Sequence, residues 1–294
     1  DFCRDTGSAF STLPVCNFFL ESAARGGDGF GGCDLTGIDL NGGRHLGNLG
    51  SILLDGIAIL VTLFLLWRSE MKKAAVGRRE MQLFLAGYFV ITICEIFSVG
   101  WFPLNEATRR GFSAVHIAAI TATTWILMLN AVVGFQVLDD GTFFSIGLIL
   151  ISAAALFIGT GYIALDTAFS WTGYWDSTLS PPLNRAYALY TLYQLAPLVF
   201  LFVFFVLETI LVLRILGETK PMIYLIAAVL FFAIGQIFQY LISVHICTGT
   251  SGKINGGLFE VLFTLLSVVT IWIFWSSITE DDWPMPVASE STYT

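Results

Sequence analysis

Charged residues are scarce in this sequence. Lysine, arginine, aspartate and glutamate make up 12% of its 294 residues, whereas globular chains average about 25%. So few charges cannot cover the surface of a water-soluble fold of this length, and 56% of the residues are hydrophobic. The net charge of −8 and the lack of a basic stripe exclude a nucleic-acid partner. The sequence therefore predicts an integral membrane protein whose partners include membrane lipids.

Catalytic and metal-ligating motifs are also missing. The three histidines, His45, His116 and His245, lie in three separate segments, which is too scattered for a multi-histidine zinc site. The sequence contains no HExxH, no GxSxG and no phosphate-binding Gly-Lys loop. We therefore predict a protein that is not an enzyme, with no catalytic residues, no metal and no cofactor.

Long apolar runs are present at seven places. A membrane-spanning helix needs about 20 mostly apolar residues, and the runs are continuous, unlike the short alternating strands of an outer-membrane barrel. The predicted fold is an all-α, polytopic bundle of seven transmembrane helices within residues 46–278, between a Cys- and Gly-rich segment 1–45 and an acidic tail 279–294. The seven runs cover residues 46–67, 82–102, 113–136, 143–165, 187–213, 222–245 and 256–278.

The basic residues predict how this bundle is oriented. Lysine and arginine concentrate in cytoplasmic loops. Counted over the whole chain they divide evenly between the two sides, so the prediction depends on the one loop where they are dense. It places segment 1–45 in the lumen or outside the cell and the tail 279–294 in the cytosol. The dense loop, between the first two spans, contains Arg68, Lys72, Lys73, Arg78 and Arg79.

Four of the five cysteines fall on the lumenal side of this topology: Cys3, Cys16, Cys33 and Cys247. Because oxidising compartments favour disulfides, we predict two bridges among them. Four cysteines allow three pairings, and the sequence does not choose between them; we favour Cys3 with Cys16 and Cys33 with Cys247. The fifth, Cys94, lies inside the second span and is expected to be a small core residue.

Ionisable side chains inside the predicted spans are costly and mark candidate functional sites. The acids are Asp55, Glu95, Glu208 and Glu260. Three of them, with His116, lie at a similar depth in the lumenal half, and we predict an intramembrane polar cluster of Asp55, Glu95, His116 and Glu260. Two interpretations stay open: hydrogen-bonded contacts that hold the helices together, or a site for a cation, a proton or a polar head group.

The spacing of other polar residues predicts the inward faces of the helices. In the first three spans they recur every three, four or seven residues, which places them on one face of each helix. In the fifth span, Tyr187, Tyr190 and Gln194 form a packing face, and Pro197 predicts a kink. The inward residues of the first three spans are Asn48, Ser51, Asp55 and Thr62, then Tyr88, Thr92 and Glu95, then His116, Thr123 and Asn130.

Seven spans with an external N-terminus are also typical of heptahelical receptors. The third span ends in Gly134-Phe135-Gln136 without the acidic-Arg-aromatic triplet of the common receptor class, and the seventh has no Asn-Pro-x-x-Tyr. A retinal protein needs a Schiff-base lysine, and the nearest candidate, Lys253, precedes the seventh span. We keep as the alternative function a receptor or transporter that uses the lumenal acidic cluster Asp55, Glu95 and Glu260.

Short motifs spread over nearly the whole chain resemble those of one fungal family. Each is weak alone, but their order, the seven spans and the lumenal cysteines make the chain similar to the fungal chitin synthase export chaperones. The motifs are Leu13-Pro14-Val15-Cys16, Val76-Gly77-Arg78-Arg79-Glu80, Trp125, Gly134-Phe135, Asp139-Asp140-Gly141-Thr142, Gly235-Gln236, Ile246-Cys247, Gly257-Leu258-Phe259 and Thr279-Glu280-Asp281-Asp282.

The resemblance implies a non-enzymatic membrane chaperone or accessory subunit. Such a protein binds the membrane-embedded helices of a chitin synthase and supports its folding and its export from the endoplasmic reticulum for cell-wall chitin synthesis. It would be a multi-pass protein of the endoplasmic reticulum membrane, with passage beside its client to the plasma membrane left open. The Phe-rich outer surface of the fifth and sixth spans is then a candidate docking face. Glu280, Asp281 and Asp282 are a candidate export signal, although short acidic runs are usually only solvated.

Overall fold

Seven long helices dominate the described part of the chain. The computed structural model describes residues 13–18, 35–40, 44–72, 75–100, 102, 104–136, 141–175 and 187–279. All seven are long and apolar enough to cross a membrane, which confirms the prediction of an all-α, multi-pass membrane protein. They are α1 (Leu49–Met71), α2 (Arg78–Ser98), α3 (Glu106–Gly134), α4 (Phe143–Phe169), α5 (Tyr187–Leu216), α6 (Lys220–Gly249) and α7 (Gly256–Ile278).

Two small elements precede the bundle. A 3-10 helix, Pro14–Phe18, is buried along its whole length. A hairpin follows, in which β1 (Ile38–Leu40) pairs antiparallel with β2 (Arg44–Leu46) and Ile38 lies opposite Leu46. The sequence did not predict this hairpin, because strands of three residues are too short to carry an alternating pattern.

Side-chain caps set where four of the helices begin. An oxygen of each capping side chain accepts a hydrogen bond from a backbone N–H of the first turn, which satisfies a donor that the helix itself leaves free. Asn105 explains why α3 begins seven residues before its apolar run: the first turn is polar and helical, but not hydrophobic. The caps are Asn48, Asn105, Thr142 and Asn255.

Helix α5 contains two π-helical turns, Thr191–Leu195 and Leu211–Leu216, and helix α6 contains one. In α5 the turn Thr191–Leu195 directly precedes Pro197, and the N–H of Ala196 donates to the carbonyl of Thr191, five residues earlier. Proline has no N–H to continue the ordinary ladder, so the break predicted at Pro197 takes the form of a π-turn. In α6 the corresponding turn is Phe238–Ile242.

The helices pack in an open arrangement around α3. Helices α1 to α4 form successive pairs, α5 lies along α3, α6 lies along α7, and α7 returns to α1. Helix α3 is the most deeply buried of the seven. Among the described helices, no comparable packing joins the main part of α5 to α6, so the bundle is least closed between these two helices.

The inward faces predicted for the first three spans are confirmed by burial. All but one of their residues are buried, and they alternate with exposed apolar residues that face outward, such as Leu53, Leu60 and Phe64 on α1. The exception is Glu95, which is half-buried because it lines an internal cavity. The buried members are Asn48, Ser51, Asp55, Thr62, Tyr88, Thr92, His116, Thr123 and Asn130.

Candidate functional site

Three of the predicted acids meet inside the bundle: Asp55 of α1, Glu95 of α2 and Glu260 of α7. The carboxyl groups of Glu95 and Glu260 hydrogen-bond to each other, and Asp55 is close enough to interact with both. The three acids therefore form one cluster, which we call the acid cluster.

Helix capping places two of these acids at the same level. Asn48 Nδ2 donates to Asn255 Oδ1 across 3.3 Å, so the caps of α1 and α7 are bonded to each other. Asp55 and Glu260 follow their caps by seven and five residues, about 10 and 8 Å along the axes. Their separation in sequence is large, but the paired caps bring them together.

The surroundings of the three carboxylates differ. Thr264 Oγ1, one turn along α7, donates to Glu260 Oε1 at 2.9 Å. Asp55 is 0% exposed, and among the described residues neither of its carboxyl oxygens has a hydrogen-bond partner. Burying a polar group without a hydrogen-bond partner lowers the stability of the fold. Asp55 therefore destabilises the folded bundle at this position.

The fourth residue of the predicted cluster, His116, has a partner outside the acid cluster. Its Nδ1 is 2.9 Å from Ser98 Oγ in a hydrogen bond. Asn17 Nδ2 donates to the Ser98 carbonyl at 3.0 Å and to Ser113 Oγ at 2.7 Å. His116 thus belongs to a polar network that anchors the 3-10 helix Pro14–Phe18 onto α2 and α3. It also lines the same cavity as Glu95 and Glu260.

Two tyrosines complete the polar group. The polar residues of the sixth span, Gln236, Gln239, Tyr240 and Ser243, point to Tyr240, but no pattern in the fifth span points to Tyr193. The hydroxyl groups of Tyr193 in α5 and Tyr240 in α6 hydrogen-bond to each other, and both line the cavity. The predicted face of Tyr187, Tyr190 and Gln194 is wrong at Tyr187, which is 71% exposed. The π-turn Thr191–Leu195 rotates this part of α5 and brings Tyr193 inward; Pro197 was the only sequence signal for that rotation.

The cavity has a volume of about 390 Å³ and is lined by α2, α3, α5, α6 and α7. Pro14 closes it at the level of the acid cluster. Its far end is apolar, lined by residues such as Phe84, Phe204 and Ile271. Its mouth lies between α5 and α6, because several lining residues of these helices are also exposed on the outer surface: Leu198, Phe202 and Val229.

The fourth acid, Glu208, does not join the cluster. It is 6% exposed on α5, it does not line the cavity, and among the described residues its Oε2 has no hydrogen-bond partner. The described residues also contain no group of three His, Cys, Asp or Glu side chains arranged to hold a metal ion.

The opposite end of the bundle is held together by backbone-directed contacts. Trp275 Nε1 donates to the Val76 carbonyl at 2.9 Å, and the backbone N–H of Gly141 donates to Glu80 Oε1 at 3.3 Å. Two of the sequence motifs, Val76-Gly77-Arg78-Arg79-Glu80 and Gly141-Thr142, therefore meet there. Their role at this end is structural: they join the loop between α1 and α2 to α7 and to the start of α4.

The described cysteines have three different surroundings. Cys94 is a free thiol inside α2, as expected for a small core residue. Cys16 is buried in the 3-10 helix against α3 and α4, whereas Cys247 is buried near the end of α6 against Leu35. Neither Cys16 nor Cys247 is among the free thiols. Cys3 and Cys33 lie outside the described residues, as do Glu280, Asp281 and Asp282.

These features define the class of the molecule: a multi-pass α-helical membrane protein with a cavity that opens sideways between two of its helices. A family model described as chitin synthase export chaperone matches residues 1–289. The chain belongs to the chitin synthase export chaperone family. This membership confirms the resemblance seen in the motifs and, because the family is one of chaperones, the prediction that the chain is not an enzyme.

Similar proteins come from several fungi and bear the same description. A chitin synthase export chaperone of Coccidioides immitis is 33% identical over 92% of this chain and 80% of its own length. One from Chaetomium globosum is 32% identical over 77% of this chain and 66% of its own length. One from Aspergillus fumigatus is 28% identical over 92% of this chain and 81% of its own length. No solved structure matches the chain significantly.

Proposed function

We propose that this chain is an export chaperone for a chitin synthase. It binds the membrane-embedded helices of its client in the endoplasmic reticulum membrane and supports folding and exit of the client for cell-wall synthesis. The observation that carries the proposal is the family match over residues 1–289, supported by the relatives named chitin synthase export chaperone.

A physical basis for chaperoning lies in how helices associate in lipid. Because lipid tails are as apolar as leucine, helix pairs form through close packing and polar contacts rather than through hydrophobic burial. A partly assembled multi-pass client exposes such unpaired surfaces. Helices α5 and α6 of this chain lack a close contact along their main parts, so they offer a surface that a client helix can complete. We propose their outer surface as the docking face.

A paired substitution tests this docking face. Phe202 on α5 is 67% exposed at the cavity mouth, and Phe64 on α1 is 53% exposed on another side of the bundle. We expect Phe202→Ala to lower co-purification of the client in mild detergent several-fold, because a contact residue loses its ring. Phe64→Ala is the control and should leave co-purification unchanged. Equal effects of the two substitutions would contradict docking at α5 and α6.

The chaperone role itself is tested in the fungal host. Deletion of the gene should leave a tagged chitin synthase in the endoplasmic reticulum and reduce its delivery to the cell surface. Normal surface delivery in the deletion strain, with no co-purification of the two wild-type proteins, would overturn the proposal. Whether the chain leaves the endoplasmic reticulum with its client is read from its location in the same cells.

The orientation of the bundle and its disulfides form a joint proposal. We propose that segment 1–45 is lumenal, that residues 46–278 form the membrane domain and that the tail 279–294 is cytosolic, with Glu280, Asp281 and Asp282 as an export signal. Leu35 packs on Cys247, and both the N–H and the hydroxyl of Thr36 donate to the Gly252 carbonyl, at 2.8 and 3.2 Å. Cys33 is two residues before Leu35, which supports the pair Cys33–Cys247 and leaves Cys3 for Cys16.

One observation favours a second function: the acid cluster faces a cavity inside the bundle. In a proton-coupled transporter, Glu95 and Glu260 would exchange protons with the cavity. Proteoliposomes that contain a pH-sensitive dye test this, with Glu95→Gln and Glu260→Gln together as the variant and Glu208→Gln as the control. Proton flux in the wild type that is lost only in the double variant would favour the transporter. Because we propose a chaperone and not a transporter, we expect no proton flux from the wild type, the double variant or the control.

A further inference from the structure

The shape of the cavity limits what can occupy it. From Glu260 to Ile271 its lining extends over eleven residues of α7, about 16 Å along the helix axis. A volume of about 390 Å³ over that length describes a narrow, elongated space, which is the shape that a single hydrocarbon chain takes.

The route into the cavity leads from the lipid. Leu198 and Val229 both line the cavity and are 47% and 44% exposed on the outer surface. Pro14 closes the end near the acid cluster, where Asn17 fixes the 3-10 helix through its bonds to Ser98 and Ser113. The opening between α5 and α6 therefore admits a ligand sideways, as a membrane lipid enters.

The charged groups that line the cavity are concentrated at one end, and they are all acidic. Glu95 and Glu260 face its closed end, and Asp55 lies against them with a fully buried carboxyl group that has no hydrogen-bond partner among the described residues. None of the described residues that line the cavity is lysine or arginine. Phosphate groups are recognised mainly by those two side chains, so this end does not suit a phospholipid head.

From these observations we infer that the cavity binds a long-chain amine. The ammonium group donates hydrogen bonds to Glu95 and Glu260, and the hydrocarbon chain extends along the apolar end toward Phe204 and Ile271. An ammonium group at this position places a positive charge beside the acid cluster. That charge offsets the free-energy cost of burying the Asp55 carboxyl group without a hydrogen-bond partner in the described part of the chain. The inference concerns the cavity alone and does not depend on the chaperone role.

Photolabelling of the full chain in mild detergent tests the inference with two matched probes. One is dodecylamine with a diazirine in its chain, and the other is dodecanoic acid with the same diazirine. Charge-assisted hydrogen bonds favour the amine, and we expect it to label residues of the apolar end about tenfold more than the acid, the ratio that about 1.4 kcal/mol produces. The two glutamine substitutions, Glu95→Gln and Glu260→Gln, should reduce labelling by the amine probe to the level of labelling by the fatty-acid probe.

A second variant tests the inference without changing the acid cluster, in case the glutamine variants fail to fold. Val229→Trp blocks the mouth at an exposed position and should abolish labelling inside the cavity by both probes. Val90→Trp, at a position on α2 that is 40% exposed and does not line the cavity, should have no effect. Labelling confined to the outer surface, equal labelling by the two probes, or labelling that persists in Val229→Trp would each overturn the inference.

Discussion

Gly77 and Gly217 have nearly the same left-handed backbone, with φ of 68° and 67°. At both positions the chain turns between two helices, and only glycine adopts this conformation without strain. Their surroundings differ. A Cβ on Gly77 would lie 2.8 Å from Asn130 Oδ1, whereas nothing lies within 4 Å of a Cβ on Gly217. The left-handed turn is local to each glycine, but the close approach of Asn130 is a property of the packed bundle.

The two glycines therefore predict unequal costs of the same substitution. Gly217→Ala should lower the free energy of unfolding by about 1 kcal/mol, the strain of a left-handed alanine. Gly77→Ala should cost at least twice that, about 2 kcal/mol or more, because strain and a clash with Asn130 add. Thermal unfolding of the detergent-solubilised variants measures both. Equal midpoints would show that Asn130 moves aside freely.

At the scale of the helix, a capping residue can do two things: it starts its own helix, and it can also bond to a neighbouring helix. The cap Asn48 is buried, whereas the cap Asn105 is exposed. Asn48 also donates to Asn255, the cap of α7. Asparagine caps are common at helix starts. That two of them bond to each other depends on α7 packing beside α1, which no local pattern reports.

Substituting the caps separates these two contributions. Asn105→Ala should cost about 1 kcal/mol, the usual value of an N-cap. Asn48→Ala should cost about 1 kcal/mol more, because it also removes a buried hydrogen bond between helices. In the double variant Asn48→Ala with Asn255→Ala, the loss should be smaller than the sum of the single losses. Additive losses in thermal unfolding would mean that the bond between the caps contributes nothing.

Helix α5 shows the limit of periodicity as a guide to faces. Three, four and seven-residue spacing correctly predicted the inward residues of α1, α2 and α3, because those helices keep 3.6 residues per turn. In α5 the π-turn before Pro197 adds a residue to one turn and shifts every face on its N-terminal side. Tyr193 was missed for this reason, although Pro197 was recognised as a break.

At the scale of the whole molecule, the N-terminal segment is tied to the bundle at two separate places. Asn17 bonds to α2 and α3 through Ser98 and Ser113. Thr36 bonds to the loop between α6 and α7 at Gly252. These contacts lie at the end of the bundle that holds the acid cluster and the closed end of the cavity. The described parts of the segment that make these contacts, residues 13–18 and 35–40, therefore lie over that end, and the proposed disulfides would fasten them.

Cysteine substitutions test the proposed pairing as a property of the whole chain. If Cys33 is bonded to Cys247, then Cys33→Ser, Cys247→Ser and the double variant should lose the same stability, about 2–5 kcal/mol. Combining Cys33→Ser with Cys16→Ser should instead give additive losses, because two bridges are broken. Thermal unfolding under non-reducing conditions measures these losses. Reactive thiols at Cys3, Cys16, Cys33 and Cys247 in the wild type would contradict both bridges.

The sequence by itself determined the class of this protein, because charge scarcity and apolar run length are fully local properties: seven spans, no catalytic motif and a family resemblance could be read without coordinates. It also identified the three acids, since an ionisable residue in an apolar run stands out wherever it packs. Only the tertiary structure decided that Asp55, Glu95 and Glu260 meet, that His116 serves a different network, and that α5 and α6 leave a cavity between them. Those outcomes depend on which helices become neighbours, and contacts between distant segments leave no periodic trace in a single chain.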